Sequence, residues 1–158
     1  MPEVFTLLDS LNVSYDTYDH PPVFTTEEAN KHRPNVDFWE NKNLFLRNRK
    51  GDKHYLVTIE ATKRLDLKKL GEELGEKVGF ASPERLKKHL NLLPGSVSPF
   101  GLLNDSEHEV VFILDSDALA HENIGVHPNT NTQTIIMKTT DFRHAVESFG
   151  NPVFTKEI

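Results

Sequence analysis

The sequence predicts an α+β fold: a curved, barrel-like mixed β-sheet flanked by helices. Three observations lead there. Runs with helical periodicity and runs with strand periodicity are interspersed without the strict alternation of a doubly wound sheet. Between Lys42 and Glu60, apolar and polar residues alternate on both sides of a glycine-containing turn, the pattern of an antiparallel hairpin. The 158 residues suffice for one hydrophobic core and are too few for two comfortable ones, so residues 1–158 are read as one domain.

The elements follow in order. Residues 3 to 11 place Val4, Phe5, Leu7, Leu8 and Leu11 at helical spacing. Tyr15 and Tyr18 with polar neighbours suggest a first strand, stopped by Pro21 and Pro22. Thr25 or Thr26, with Glu28, offers the cap of a short helix through about Lys31. Residues 34 to 40 read as a loop in which Phe38 and Trp39 plug the core or wall a pocket, the core being the default for large aromatics. After the hairpin, Asp66 caps the helical run DLKKLGEELG. Ser82, with Pro83 at the first helical position and Glu84 in the first turn, opens SPERLKKHLNLLPG, which Gly95 ends. Strands are expected at about 97–103, 109–114, 122–127 and 132–138, then a helix near 140–149 and a short strand around Val153.

Composition narrows the function. The hydrophobic fraction is 37% and the charged fraction 27%, as in soluble globular proteins. No apolar run approaches the roughly 18 residues of a membrane span, and the first residues lack a basic n-region and cleavage site. With no cysteine, thiolate nucleophiles, disulfides and Cys-ligated zinc are excluded, and a cytoplasmic location with no membrane partner is expected. A formal net charge of −6 argues against strong non-specific nucleic-acid binding, so DNA is not an expected partner and any RNA must be held locally. The bases do cluster: Arg47, Arg49, Lys50 and Lys53 around the hairpin turn, Lys63, Arg64, Lys68 and Lys69 after it, and Arg85, Lys87 and Lys88 on the later helix. Each cluster is a solvated face or a local contact.

Three segments can carry chemistry. Lys42 and Asn43 stand at the entrance of the hairpin, either as a solvated strand end or as ligands. Gly95, Ser96, Val97, Ser98 and Pro99 form a loop whose composition keeps backbone amides accessible, suited to a water or an oxyanion. A plain turn into a strand is the simpler reading. Ser96 and Ser98 do not make a nucleophile elbow, because the residue two after Ser98 is Phe100 and not glycine. His127 precedes Pro128, which favours an extended backbone aiming the side chain out of a strand end. Asn129, Thr130 and Asn131 follow as hydrogen-bonding groups. The eight histidines include no H-E-x-x-H pair, so no metal and no cofactor is expected. Paired carboxylates such as Glu27-Glu28 and Glu72-Glu73 lie at helix starts or on helix faces, as dipole complements and solvated charge.

As an ordered set, KNLFLRNRKGDKHYLVTIE, GSVSPFGLL and GVHPNTNTQTIIMK resemble the YbaK/ProX family of trans-acting aminoacyl-tRNA deacylases, and within it the branch that removes alanine from mischarged proline tRNA. The resemblance runs from DHPPVFTTEEA at Asp19 to TTDFRHAVESFG at Thr139. It implies that Lys42 contacts a phosphate of the tRNA 3′ end and that Asn43 helps hold the terminal adenosine. Gly95 to Pro99 becomes the family's GxxxP loop, whose amides position water and carbonyl, and His127 becomes a substrate-site residue. Phe24, Phe45 and Phe100, with Pro128 and Asn129, are the substrate-binding candidates, and Leu46, Val57 and Ile59 further candidate walls, although core packing is the default for the apolar ones. The implied partners are the aminoacyl-tRNA(Pro) 3′ end and prolyl-tRNA synthetase. Two rivals stand beside this: a deacylase for Cys-tRNA(Pro) or another small noncognate residue, and a non-catalytic RNA-binding or synthetase-associated module.

Overall fold

The structure, a computed structural model, describes residues 2–21 and 37–158. Phe24 and the helix expected through Lys31 lie outside the described residues. Helix α1 (Pro2–Ser10) leads into β1 (Tyr15–Asp19). The hairpin β2 (Asn41–Asn48) and β3 (His54–Glu60) is followed by α2 (Leu67–Leu74), β4 (Val78–Phe80) and α3 (Pro83–Leu90). After β5 (Val111–Asp115) come β6 (Asn123–Val126), β7 (Gln133–Lys138), α4 (Thr139–Glu147) and β8 (Val153–Lys156).

The α+β class is borne out. The strands divide between two sheets, neither closed: an antiparallel one in the order β1-β7-β6, and a mixed one in the order β4-β2-β3-β5-β8. In the mixed sheet β3, β5 and β8 run parallel, and β5 is buried along its whole length, as a strand covered on both faces must be. The larger core lies on the face of this sheet carrying Phe45, Leu56 and Phe112, against Val126, Ile135 and Met137 of the small sheet and Phe142 of α4. On the opposite face Leu46, Val57 and Ile59 pack beneath Leu70 of α2. Trp39 (1% exposed), Phe100 and Phe142 are core residues of the first cluster, each contributing about 1.5–3 kcal/mol by burial. Trp39 also makes an isolated bridge to Ile124, where the two sheets touch, and donates its indole N–H to Asp117 at 3.1 Å.

The caps form as the sequence specifies. Asp66 accepts from the Lys69 amide at 3.1 Å, and Ser82 from the Arg85 amide at 3.2 Å. Two expectations are corrected. Helix α3 ends at Asn91, which takes the left-handed conformation (φ 54°), so Gly95 belongs to a separate turn. The strand expected at 97–103 is instead a short 3-10 helix, Pro99–Asn104: Ser98 Oγ accepts from the Phe100 amide at 3.1 Å, and Pro99 supplies the fixed φ of a first helical position. Strand β4 and a 3-10 turn at Ser116–Ala120 carry too few residues to show a period. At the hairpin turn the buried Asn48 carboxamide accepts from the Gly51, Asp52 and Lys53 amides, which pins the loop.

Candidate active site

The loop before the 3-10 helix and the end of β6 are tied together by side chains. Ser98, fully buried, donates its hydroxyl to the His127 carbonyl at 2.6 Å. Asn129 donates to the Phe100 carbonyl at 3.3 Å, and Asn131 Nδ2 lies 3.9 Å from where a Cβ on Gly95 would stand. Gly95 has φ +87°, the left-handed region that glycine enters without strain. Among the described residues the Ser96 amide donates to the Leu93 carbonyl at 3.0 Å, whereas no hydrogen bond uses the amides of Gly95, Val97 or Ser98. The loop thus presents backbone donors beside the His127 segment. Its one buried hydroxyl, that of Ser98, is already committed both as donor and as acceptor.

His127 is half-buried, and its Nδ1 lies 2.9 Å from the Gln133 carbonyl. A carbonyl can only accept, so Nδ1 carries the proton, leaving the Nε2 lone pair of the neutral ring as an acceptor. Burial pushes the His127 pKa below its ordinary value. The Gln133 hydrogen bond opposes that shift and the neighbouring His20 adds to it.

Sequence reading missed His20, which had no assigned role among the scattered histidines. It lies just past β1, 8% exposed, with Nδ1 3.0 Å from the Pro21 carbonyl and Nε2 2.9 Å from Thr134 Oγ1. Thr134 Oγ1 in turn lies 3.4 Å from His127 Nδ1, and the two imidazoles meet edge to face at 5.8 Å. Since Pro21's carbonyl fixes the proton on His20 Nδ1, Thr134 donates to His20 Nε2 and offers its lone pairs toward His127. The partners are 114 residues apart in sequence, and only the pairing of β1 with β7 joins them.

Strand alternation separates the two residues at the hairpin entrance. Asn43 pairs with Thr58 and faces the larger core, where its carboxamide oxygen accepts from the buried Thr58 hydroxyl. Lys42 pairs with Ile59 and lies on the opposite, α2-covered face. On Asn43's face, two residues back, Asn41 donates to the Gly125 carbonyl at 2.8 Å. This joins the start of β2 to β6, the strand that ends one residue before His127. The close approach needs glycine, because a Cβ at Gly125 would sit 2.6 Å from the Phe38 ring.

The remaining candidates are placed as follows. Phe45 lies on Asn43's face in the core, stacked on His54 at 5.4 Å. Phe100 is fully buried against Phe142 and Phe149. Leu46, Val57 and Ile59 lie beneath α2, on the side away from Asn43. Val97 packs on the edge of the larger core, and Pro99 and Pro128 are buried. The Asn129 carboxamide oxygen is buried without a hydrogen-bond partner among the described residues, and its backbone is left-handed (φ 62°). Lys63 is occupied by the buried Asp115 at 2.8 Å and is not part of an open basic face. No group of three His, Asp or Glu residues suited to a metal occurs among the described residues.

Comparison with known proteins gives the family of the chain. The aminoacyl-tRNA editing domain family matches residues 20–145. The prolyl-tRNA editing protein ProX of Acetoanaerobium sticklandii is 42% identical over 150 residues, covering 94% of this chain and 91% of its own. The prolyl-tRNA synthetase associated domain-containing protein 1 of Mus musculus is 33% identical over 149 residues, covering 91% and 88%. A solved structure described as a proposed trans-editing enzyme for prolyl tRNA synthetase superposes with a TM-score of 0.71 over 96% of this chain and 92% of that one. Its 20% identity speaks for the fold alone. With a family match across most of its length and a near full-length relative above 40% identity, the chain belongs to the aminoacyl-tRNA editing domain family.

Proposed function

We propose that this protein hydrolyses the ester of mischarged aminoacyl-tRNA(Pro) in trans, and that alanine is the residue it removes. The observation that carries the reading is the Gly95–Ser98 loop, fastened to the His127 carbonyl through Ser98, with three amides uncommitted among the described residues. Ester hydrolysis needs a placed water and donors for the oxygen that becomes negative. One preorganised donor is worth about 3–4 kcal/mol of barrier. A water attacks the carbonyl carbon and the developing oxyanion falls to the loop amides; as the ester C–O bond breaks, the departing ribose oxygen takes the proton of its neighbouring hydroxyl, and that hydroxyl takes in turn the proton the attacking water sheds.

Neutral His127 offers Nε2 as an acceptor for the substrate's α-ammonium group, and Asn43, held by Thr58, offers its amide hydrogens to the adenosine. Lys42 and Asn43 lie on opposite faces, so the RNA end passes across the start of β2, with a phosphate on the lysine side. Unpaired RNA ends are recognised in this way, by splayed bases and local charge.

Alanine follows from the logic of the sieve. A proline site cannot strongly reject a smaller side chain, since a missing methylene costs only about 1–3 kcal/mol, and a second site must remove the product. The name of the ProX relative, a prolyl-tRNA editing protein, supports the tRNA(Pro) assignment. Prolyl-tRNA synthetase is the partner expected to supply the substrate. The test is deacylation of Ala-, Cys-, Ser- and Pro-tRNA(Pro) by the purified protein. Rapid loss of alanine with proline spared supports the reading, preference for cysteine shifts the substrate, and a single-turnover experiment with no hydrolysis leaves only a binding module.

A further inference from the structure

Two guanidinium groups converge on the β2–β3 turn. A Cβ built on Gly51 would lie 2.9 Å from Arg85 Nη2 and 3.3 Å from Arg47 Nη2, so both groups crowd one side of the loop. Arg85 Nη1 donates to the Gly51 carbonyl at 2.9 Å and lies 3.2 Å from His54 Nε2. Arg47 donates from Nε to the Asn48 carbonyl at 3.2 Å and from Nη2 to the Arg49 carbonyl at 3.0 Å. These neutral acceptors hold the two side chains in place without cancelling their charge.

Among the described residues neither guanidinium has a carboxylate within ion-pair distance. The nearby acids are engaged elsewhere: Asp52 with Lys50 at 3.6 Å and with Asn48, and Glu76 with Asn48 and Tyr55. Asp105 accepts from the Val110 amide and from Asn151, both at 2.8 Å. Arg49, Lys50 and Lys53 of the same hairpin turn, and Lys87 and Lys88 of the helix that carries Arg85, are exposed. This is a local excess of positive charge in a chain whose net charge is −6. Like charges gathered without a counter-ion repel, and an anion placed between two pre-positioned guanidinium forks relieves that repulsion. Arg47 also lies on the same face of β2 as Asn43, four residues along, or about 14 Å at 3.4 Å per residue. A stacked nucleic-acid strand advances about 3.4 Å per nucleotide, so this span corresponds to roughly three to five nucleotides.

We infer that Arg47 and Arg85 form a phosphodiester seat that grips the RNA substrate three to five nucleotides upstream of its esterified end. The seat rests on the reading of that substrate as aminoacyl-tRNA. It fixes the reach between the body of the RNA and the Gly95–Ser98 loop, and it concentrates recognition in one place on an otherwise acidic protein.

The test uses two substrates and one binding probe. R47Q and R85Q are assayed on Ala-tRNA(Pro) and on the 3′-alanyl ester of a CCA trinucleotide, which is too short to reach the seat. Binding of uncharged tRNA(Pro) is followed by fluorescence anisotropy over a salt series. Each variant should weaken tRNA binding on the order of fivefold, as for a half-exposed charge pair, and lower the salt slope by about one. The short ester should be cleaved at the wild-type rate. Unchanged tRNA affinity and slope, or an equal loss on both substrates, overturns the seat. Should R85Q unfold, as a thermal midpoint would reveal, R47Q alone carries the same comparison. Wild-type protein that cleaves neither ester refutes the deacylase reading, while the anisotropy arm still decides the seat.

Discussion

Acidification from pH 7 to pH 5 should cost this protein stability through His54. The ring is 5% exposed, stacked on Phe45 at 5.4 Å and set 4.0 Å from the His89 ring, and it faces the Arg85 guanidinium. Burial first, and then the positive neighbours His89, Arg85, Arg47 and Lys88, push its pKa down to about 4. The folded pKa lies below the unfolded value near ~6.5, so folding favours the neutral ring. The contribution is complete above ~6.5 and is lost as pH falls toward about 4. At pH 5 the unfolded chain is almost fully protonated at this site and the folded chain about one-tenth so, which gives a ceiling of ~2 kcal/mol. Halved because the neighbouring charges of Arg47, Arg85 and Lys88 are partly or fully exposed and screened by solvent, the loss is ~1 kcal/mol. Urea unfolding at pH 7 and pH 5 measures it, with His54→Gln as the reference, since a glutamine oxygen can still accept from Arg85. Wild type should lose ~1 kcal/mol more than the variant between the two pH values. Parallel losses would refute the assignment of the pH dependence to His54.

Lys42→Ala should raise KM for aminoacyl-tRNA with a smaller change in kcat, and full retention of activity would count against the phosphate role. Ser98→Ala removes the hydroxyl that serves both the His127 carbonyl and the Phe100 amide. It should cost about 1–3 kcal/mol in urea unfolding and lower kcat, because the loop is no longer fastened to β6. Gly125→Ala drives a methyl group into the Phe38 ring and should destabilise by about 1–3 kcal/mol, and a neutral result would mean that Phe38 shifts freely. The acid limb of kcat/KM, if it reports His127, should have its midpoint below the ordinary histidine value near ~6.5, because burial holds the ring neutral. A midpoint above that value would exclude His127 as the titrating group.

Local chemistry was legible in the sequence wherever one or two turns of chain decide the structure. Asp66 and Ser82 announce helix starts because their side chains reach amides three residues on, and the hairpin declares itself by alternation. The same logic misled at 97–103. The apolar residues there have no period of their own, and the deciding bond, from the Phe100 amide to Ser98 Oγ, competes with a strand on equal local terms. His20 was out of reach for a different reason. Its partner Thr134 is 114 residues away and the link exists only once β1 lies on β7. A usable signal was nonetheless present, since His20 follows Tyr18 at strand spacing and so shares its face. Alternation within β2 also separates Lys42 from Asn43, a consequence of the hairpin pattern that was available from the start.

The arrangement explains how a site with no base-activated nucleophile in its loop can still be selective for an ester. The Ser98 hydroxyl is buried and committed twice, and His127 Nδ1 is committed to Gln133, so neither is free to attack or to activate an attacker through that nitrogen. What the loop keeps free, among the described residues, is the amides of Gly95, Val97 and Ser98 and the Ser96 hydroxyl, to which no histidine is hydrogen-bonded as a base. Such donors stabilise an oxyanion once it forms but do not create a strong nucleophile, so the reaction is confined to esters that water can attack. Recognition must then come from outside the loop, from Asn43, from Lys42 on the reverse face and from the guanidinium pair further along β2. One strand therefore spaces the ester, the terminal phosphate and the RNA body. Its register, fixed by the Asn41 bond to Gly125 at one end and by the Asn48 carboxamide at the other, sets which length of RNA the site accepts.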